Sequence, residues 1–255
     1  MSDILIDRFE RYFRHPDGPH EVLGLGDRGV ACMNVRRALG MLGVTDARGA
    51  SEGETFDEAL ETAVRAFQDK FRHRVSDGRV GPGTRRLIVS NLLGRFDASI
   101  FHRLKRPDPT PSVFLSYAWK DSSKVDKLGQ WLGDHGVRVI RDQTFFKAGE
   151  SIPANIRRAV AEADKVVVVF SANSRERDWP RLESAVAEEL EQRIGGTLLL
   201  YLCLDDTKLP APDPTRLAVR AKDRPLKQVG AELLHALTGA GLEPARIRYD
   251  DREPL

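Results

Sequence analysis

The strongest constraint on this chain is the run Lys165-Val-Val-Val-Val-Phe170. Four consecutive β-branched residues favour an extended backbone, and the lack of polar residues at alternate positions means that neither face of such a strand meets water. The runs at 113–117, 137–140 and 197–204 have the same character, with amphipathic stretches between them. Strands covered on both faces and alternating with helices specify an α/β fold with a doubly wound parallel sheet. None of the runs approaches the ~20 apolar residues that a membrane helix needs, so no membrane partner is expected. In such sheets ligands gather beyond the carboxyl ends of the strands, where the winding reverses beside the first and third strands. That rule selects two loops, 116–121 and 171–183. A fifth strand is less plain, because the segment after Leu204 is rich in proline and polar residues; 215–220 is the candidate.

The first 110 residues follow a helical period instead. Apolar residues recur at spacings of three and four over 4–13, 30–42, 56–71 and 83–93, with Gly- and Asp-rich turns between them. Three prolines in 107–111 bar regular helix and mark a boundary. The organisation expected is an N-terminal helix or extension over 1–24, a small three-helix all-α domain over 25–103, a Pro-rich linker over 104–111, the α/β domain over 112–240 and a tail over 241–255. The chain's 255 residues are ample for two cores.

Charge and cysteine usage exclude several classes. Residues 1–110 hold 18 Lys and Arg against 16 Asp and Glu, and the remainder holds 22 against 22, so neither half is built to bind a polyanion and nucleic acid is not an expected partner. The N-terminal residues lack a cationic start followed by an apolar core, which predicts a cytoplasmic protein. Cys32 and Cys203 each lie in an apolar setting with no neighbouring His or second Cys, so buried reduced thiols are expected and no metal site. The six histidines fall outside both selected loops; His135, just before Gly136, reads as a helix end that complements the dipole. A Ser-His-Asp hydrolase is therefore not expected, and GxxxxGK[ST] is absent.

Three segments, VFLSYAWKDS from Val113, RDQTFFKAGESIPANIRRAV from Arg141 and VVVVFSANSRERDWPRLESA from Val166, resemble in order and spacing the signature regions of the TIR (Toll/interleukin receptor) family. The resemblance implies a flavodoxin-like sheet. Its members are either enzymes that split NAD+ at the nicotinamide–ribose bond or adaptors that only associate with other TIR domains. Glu183 aligns with the glutamate that the NAD-cleaving members use, which implies a catalytic role with NAD+ as substrate and no cofactor. The chemistry can be argued independently. The nicotinamide of NAD+ is already a cationic pyridinium, so it leaves neutral and needs no general acid, while positive charge moves onto the ribose. One carboxylate beside the ribose suffices to stabilise that charge, as at the sugar in glycoside hydrolysis.

Around Glu183, a helix beginning near Asp178 with Pro180 in its first turn would put Trp179 and Glu183, four residues apart, on one face; the blander reading is a core Trp179 and a surface Glu183. Ser116, Tyr117, Ala118 and Trp119 would form the floor and wall of a nucleotide pocket, although Trp119 could equally be an aromatic closing the sheet end. Asp121, Ser171 and Asn173 complete the expected NAD+-binding set on the two selected loops. In the loop after the second strand, Phe145, Phe146, Lys147, Gly149, Glu150 and Ile152 are expected to serve as lid and assembly surface, with Lys147 meeting phosphate and Gly149 permitting a turn. The alternative is a loop whose phenylalanines fold back on the core. Asp142 either orients Lys147 or caps the turn.

The N-terminal half has its own resemblance. LGLGDRGVACMNVRRAL from Leu23, FDEALETAVRAFQ from Phe56 and DGRVGPGTRRLI from Asp77 are similar to the peptidoglycan-binding domain, a three-helix module. Its function does not follow, because a wall ligand lies outside the membrane and NAD+ inside. A spacer or self-association unit is expected, or else a sensor of an unidentified ligand; the helix before it could pack on the module or supply a dimer contact. Together the resemblances imply a bacterial NAD+ glycohydrolase, releasing nicotinamide with ADP-ribose or cyclic ADP-ribose, that is activated by TIR self-assembly as an antiviral-defence or cell-death effector. The alternative is a non-catalytic TIR adaptor.

Overall fold

The computed structural model describes residues 3–14, 22–44, 53–141, 161–176, 191–192, 199–207 and 218–238. The chain divides into two compact units, Met1–Pro109 and Thr110–Leu255.

The first unit is helical: α1 (Asp3–Glu10), α2 (Val30–Met41), α3 (Glu58–Lys70) and α4 (Pro82–Arg95). The sequence supplies each boundary. Asp57 caps α3 by accepting from the Leu60 amide at 2.8 Å, and Pro82 opens α4, where a missing N–H costs nothing. Between α3 and α4 the chain reverses through Gly78, whose φ of +74° few other residues adopt. The Gln68 side chain holds this reversal from inside: Nε2 lies within 3.1 Å of Asp77 Oδ1, Arg79 O and Thr84 Oγ1, and Oε1 accepts from the Gly78 amide at 2.9 Å. Helix α1 packs on this unit. Phe9 stacks on Phe101 with ring centroids 3.8 Å apart, Arg86 bridges Asp7 and Glu10, and Asn34 ties the Tyr12 carbonyl to both backbone groups of Lys105.

The second unit is built on five parallel strands, β1 (Ser112–Ser116), β2 (Arg138–Arg141), β3 (Lys165–Phe170), β4 (Leu199–Cys203) and β5 (Ala218–Arg220). Their order is β2-β1-β3-β4-β5, so the winding reverses between β1 and β3, in the flavodoxin-like manner. Each register brings apolar residues abreast: Leu115 beside Val167, Val168 beside Tyr201, Leu202 beside Val219. Val113, Leu115, Val167, Val169 and Leu202 form one core with α5 (Ser122–Asp134) and α6 (Leu226–Thr238), through Val125, Leu128, Leu132, Val229 and Leu233. Phe114, Val166 and Val168, on the opposite face, are also buried, which is why these strands carry no alternation. Each such side chain contributes about 1.5–3 kcal/mol. Trp131 of α5 lies against Gly230 of α6, where a Cβ would overlap the indole ring.

The fifth strand falls within the expected 215–220 and is only three residues long. Helix α5 ends at His135, whose Nδ1 meets the Trp131 carbonyl at 2.7 Å, as expected of a helix end. Cys32 and Cys203 are free and buried, one in each unit.

Candidate functional site at the carboxyl edge of the sheet

Parallel strands deliver their following loops to one edge, and here the loops are tied to one another by acidic side chains. After β1 the chain passes through Tyr117 and Ala118 into a 3-10 turn, Trp119–Asp121, which leads directly into α5. The turn has two faces. Trp119 is 60% exposed, whereas Asp121 is 6% exposed and points inward. Although Asp121 occupies the N-cap position of α5, its side chain makes no capping bond. Instead its carboxylate crosses to the loop after β3, where Oδ2 accepts from Ser171 Oγ and Oδ1 from Asn173 Nδ2, both at 2.6 Å. Ser171 Oγ in turn accepts from the Asn173 and Ser174 amides, so the turn following β3 is closed on itself and anchored to the turn following β1.

The next loop is tied by a second acid. Asp205, two residues beyond β4, accepts from the Ala172 amide at 2.7 Å through Oδ2 and from the Thr207 amide at 2.8 Å through Oδ1. Asp206 pairs with Lys222, just past β5, and that contact raises the pKa of the lysine above its ordinary value. Four successive strand ends are thus linked by three carboxylates. At the opposite edge β1 and β3 are joined again, by Asp164 accepting from the Ser112 amide and hydroxyl.

The structure brings Ser116, Tyr117, Ala118, Trp119, Asp121, Ser171 and Asn173 together at the β1–β3 switch point. Ser116 and Ala118 are buried, Tyr117 is half-buried against the sheet core and Trp119 faces solvent. The Asp121 carboxylate and the Ser171 hydroxyl are engaged with the protein. Asp142, Phe145, Phe146, Lys147, Gly149, Glu150, Ile152, Trp179 and Glu183 lie outside the described residues.

Two signals were passed over in the sequence. Asp205 was one; its clue is the Asp-x-Thr spacing directly after an apolar strand, which favours an Asx turn. The other is a GxGxxG spacing at Gly24, Gly26 and Gly29, ahead of α2. It does not form a phosphate cradle: the three glycine amides donate to Asp27 Oδ2, the Phe56 carbonyl and the Glu54 carbonyl. No group of side chains suited to a metal ion occurs among the described residues.

The second unit is similar to known proteins. Residues 113–235 match the family model described as TIR domain. Those residues form a TIR domain. Among curated proteins, the chain is 27% identical over 97 residues to Protein toll of Drosophila melanogaster, 29% over 89 residues to TMV resistance protein N of Nicotiana glutinosa and 32% over 88 residues to Disease resistance protein RPV1 of Vitis rotundifolia. These matches cover 37%, 34% and 34% of the chain and 9%, 8% and 6% of the relatives. The chain thus spans less than a tenth of each relative's length. A solved structure, the activated Roq1 resistosome directly recognizing the pathogen effector XopQ (TIR domains), is 28% identical with a TM-score of 0.32, covering 38% of this chain and 59% of that one. Within the TIR domain, the loops after β1 and β3 are the place where its fold collects ligands.

Proposed function

We propose that the TIR domain is an NAD+ glycohydrolase, with Glu183 as its catalytic carboxylate. The observation that carries this reading is the joining of the β1 and β3 loops at the switch point, with an exposed indole, Trp119, on the β1 side. NAD+ lies across that ledge. Glu183, twelve residues after Ser171 in sequence, stabilises the positive charge that develops on the ribose as nicotinamide departs. Trp119, Tyr117 and Ala118 supply contact surface, with Trp179 further along the sequence, while Asn173, whose side-chain amide donates to Asp121, holds the loop in place. Lys147 meets the diphosphate. The products are nicotinamide and ADP-ribose or its cyclic form.

Activity rises on self-association through the segment that carries Phe145, Phe146 and Ile152. The N-terminal unit acts as a spacer or association unit, and its resemblance to the peptidoglycan-binding domain rests on sequence alone. A cytoplasmic defence effector fits this reading, because NAD+ is abundant there.

The deciding experiment follows NAD+ consumption by purified full-length protein over a wide concentration range, beside Glu183→Ala, with products resolved by chromatography. Cleavage that rises faster than linearly with protein concentration, and falls by roughly a hundredfold to a thousandfold in Glu183→Ala, is the expected result. Absence of cleavage at every concentration, with a crowding agent present, would replace the enzyme by the adaptor reading.

A further inference from the structure

We infer that Asp121 and Asp205 are a pair of positioning residues that clamp the turn after β3 from its two sides, and so fix the entry to the segment that carries Glu183; the catalytic consequence rests on the NAD+ glycohydrolase reading. The turn at 171–174 sits between two neighbouring loops. From the β1 side Asp121 takes the Ser171 hydroxyl and the Asn173 amide group at 2.6 Å each. From the β4 side Asp205 takes the Ala172 backbone amide at 2.7 Å. Three consecutive residues therefore donate to carboxylates that come from the segments after two different strands, β1 and β4.

Two features separate a clamp from ordinary burial. Asp121 stands where a helix cap is expected and forgoes the cap, reaching 50 residues along the chain instead. Asp205 divides its two oxygens between its own loop, at Thr207, and the neighbouring loop, at Ala172. Charge-assisted bonds of this kind are short and directional. A site whose reacting groups come from several loops depends on their register, and a displacement of about 1 Å costs around a hundredfold in rate.

The test uses full-length protein and a reciprocal exchange. Asn173→Asp sets two carboxylates against each other, whereas Asp121→Asn combined with Asn173→Asp restores one donor facing one acceptor and leaves an oxygen for Ser171. Asn173→Asp is expected to lower kcat for NAD+ by roughly ten- to a hundredfold, with KM changed less than about threefold, and the double variant to recover most of the loss. Asp205→Ala is expected to lower kcat as well.

Amide hydrogen exchange reads the clamp without any turnover. The Ala172 amide should exchange faster in Asp205→Ala, and the backbone amides of position 173 and Ser174 faster in Asn173→Asp, with β1 and β3 unchanged. Unaltered exchange at these amides, acceleration spread evenly over the sheet, or failure of the double variant to recover would overturn the clamp. Faster local exchange with unchanged kcat would overturn its positioning role. If the wild type cleaves no NAD+, the enzyme reading fails by itself, and the exchange pattern still decides whether the turn is clamped.

Discussion

The two units solve the same problem, fixing a chain reversal, with different chemistry. In the helical unit the reversal between α3 and α4 is held by a neutral amide, Gln68, which is fully buried and bonded to four groups within residues 77–84. At the carboxyl edge of the sheet the corresponding tasks fall to the carboxylates Asp121, Asp205 and Asp206. An amide both donates and accepts, so it can replace missing backbone partners inside an apolar core without bringing a charge there. A carboxylate only accepts, which suits loops that present amides and hydroxyls, as at Asp121 and Asp205, or an ammonium, as at Asp206. Among its described residues the helical unit has isolated antiparallel bridges, Leu23 with Val80 and Arg28 with Thr55, and the Gln68 amide adds to the first of them at the reversal.

If this contrast is right, Gln68→Leu should be the most damaging substitution. It strands the Gly78 amide and leaves the Arg79 carbonyl and the Thr84 hydroxyl only their bond to each other, for a loss of about 3 kcal/mol in chemical denaturation of the first unit. A loss below about 1 kcal/mol would mean that the reversal is held by its backbone alone. Gly230→Ala asks whether the sheet unit is equally intolerant in its helical layer: the added methyl overlaps Trp131, and overpacking predicts about 2 kcal/mol, read from thermal unfolding.

The smallest effect belongs to Asp57, whose bond from the Leu60 amide, aided by Arg36, holds its pKa below the usual carboxylate value. Since the folded-state pKa is depressed, its stabilisation is complete above the unfolded-state pKa and is lost as pH falls through the folded one. Asp57→Ala should therefore cost about 1 kcal/mol at neutral pH, and the difference from wild type should close in strongly acidic solution. A difference independent of pH would remove charge from the account.

How much of this was legible in the sequence depended on distance along the chain. The strands β1, β3 and β4 were readable because four valines in a row, or a string of leucines, leave few alternatives. The end of α5 was readable because His135 bonds only four residues back. Strand β5 was nearly hidden, since three residues among prolines and charges carry little periodicity. Asp121 was recognised as belonging to the site, yet its inward direction was not, because its partners lie 50 and 52 residues away. Asp205 was missed for the same reason, its contact with Ala172 spanning 33 residues. Local pattern reports local bonds; bonds between loops are set by sheet order, which no short window contains.

The two cysteines, one buried in each unit, turn the protein into its own two-channel clock. Burial, the leading cause, raises the Cys32 thiol to about 11 and raises that of Cys203 as well, so neither is an accessible thiolate in the folded protein. A thiol-specific reagent can reach Cys32 only when the helical core opens and Cys203 only when the sheet does. Peptide-resolved labelling would thus time the opening of each unit separately, without an engineered probe.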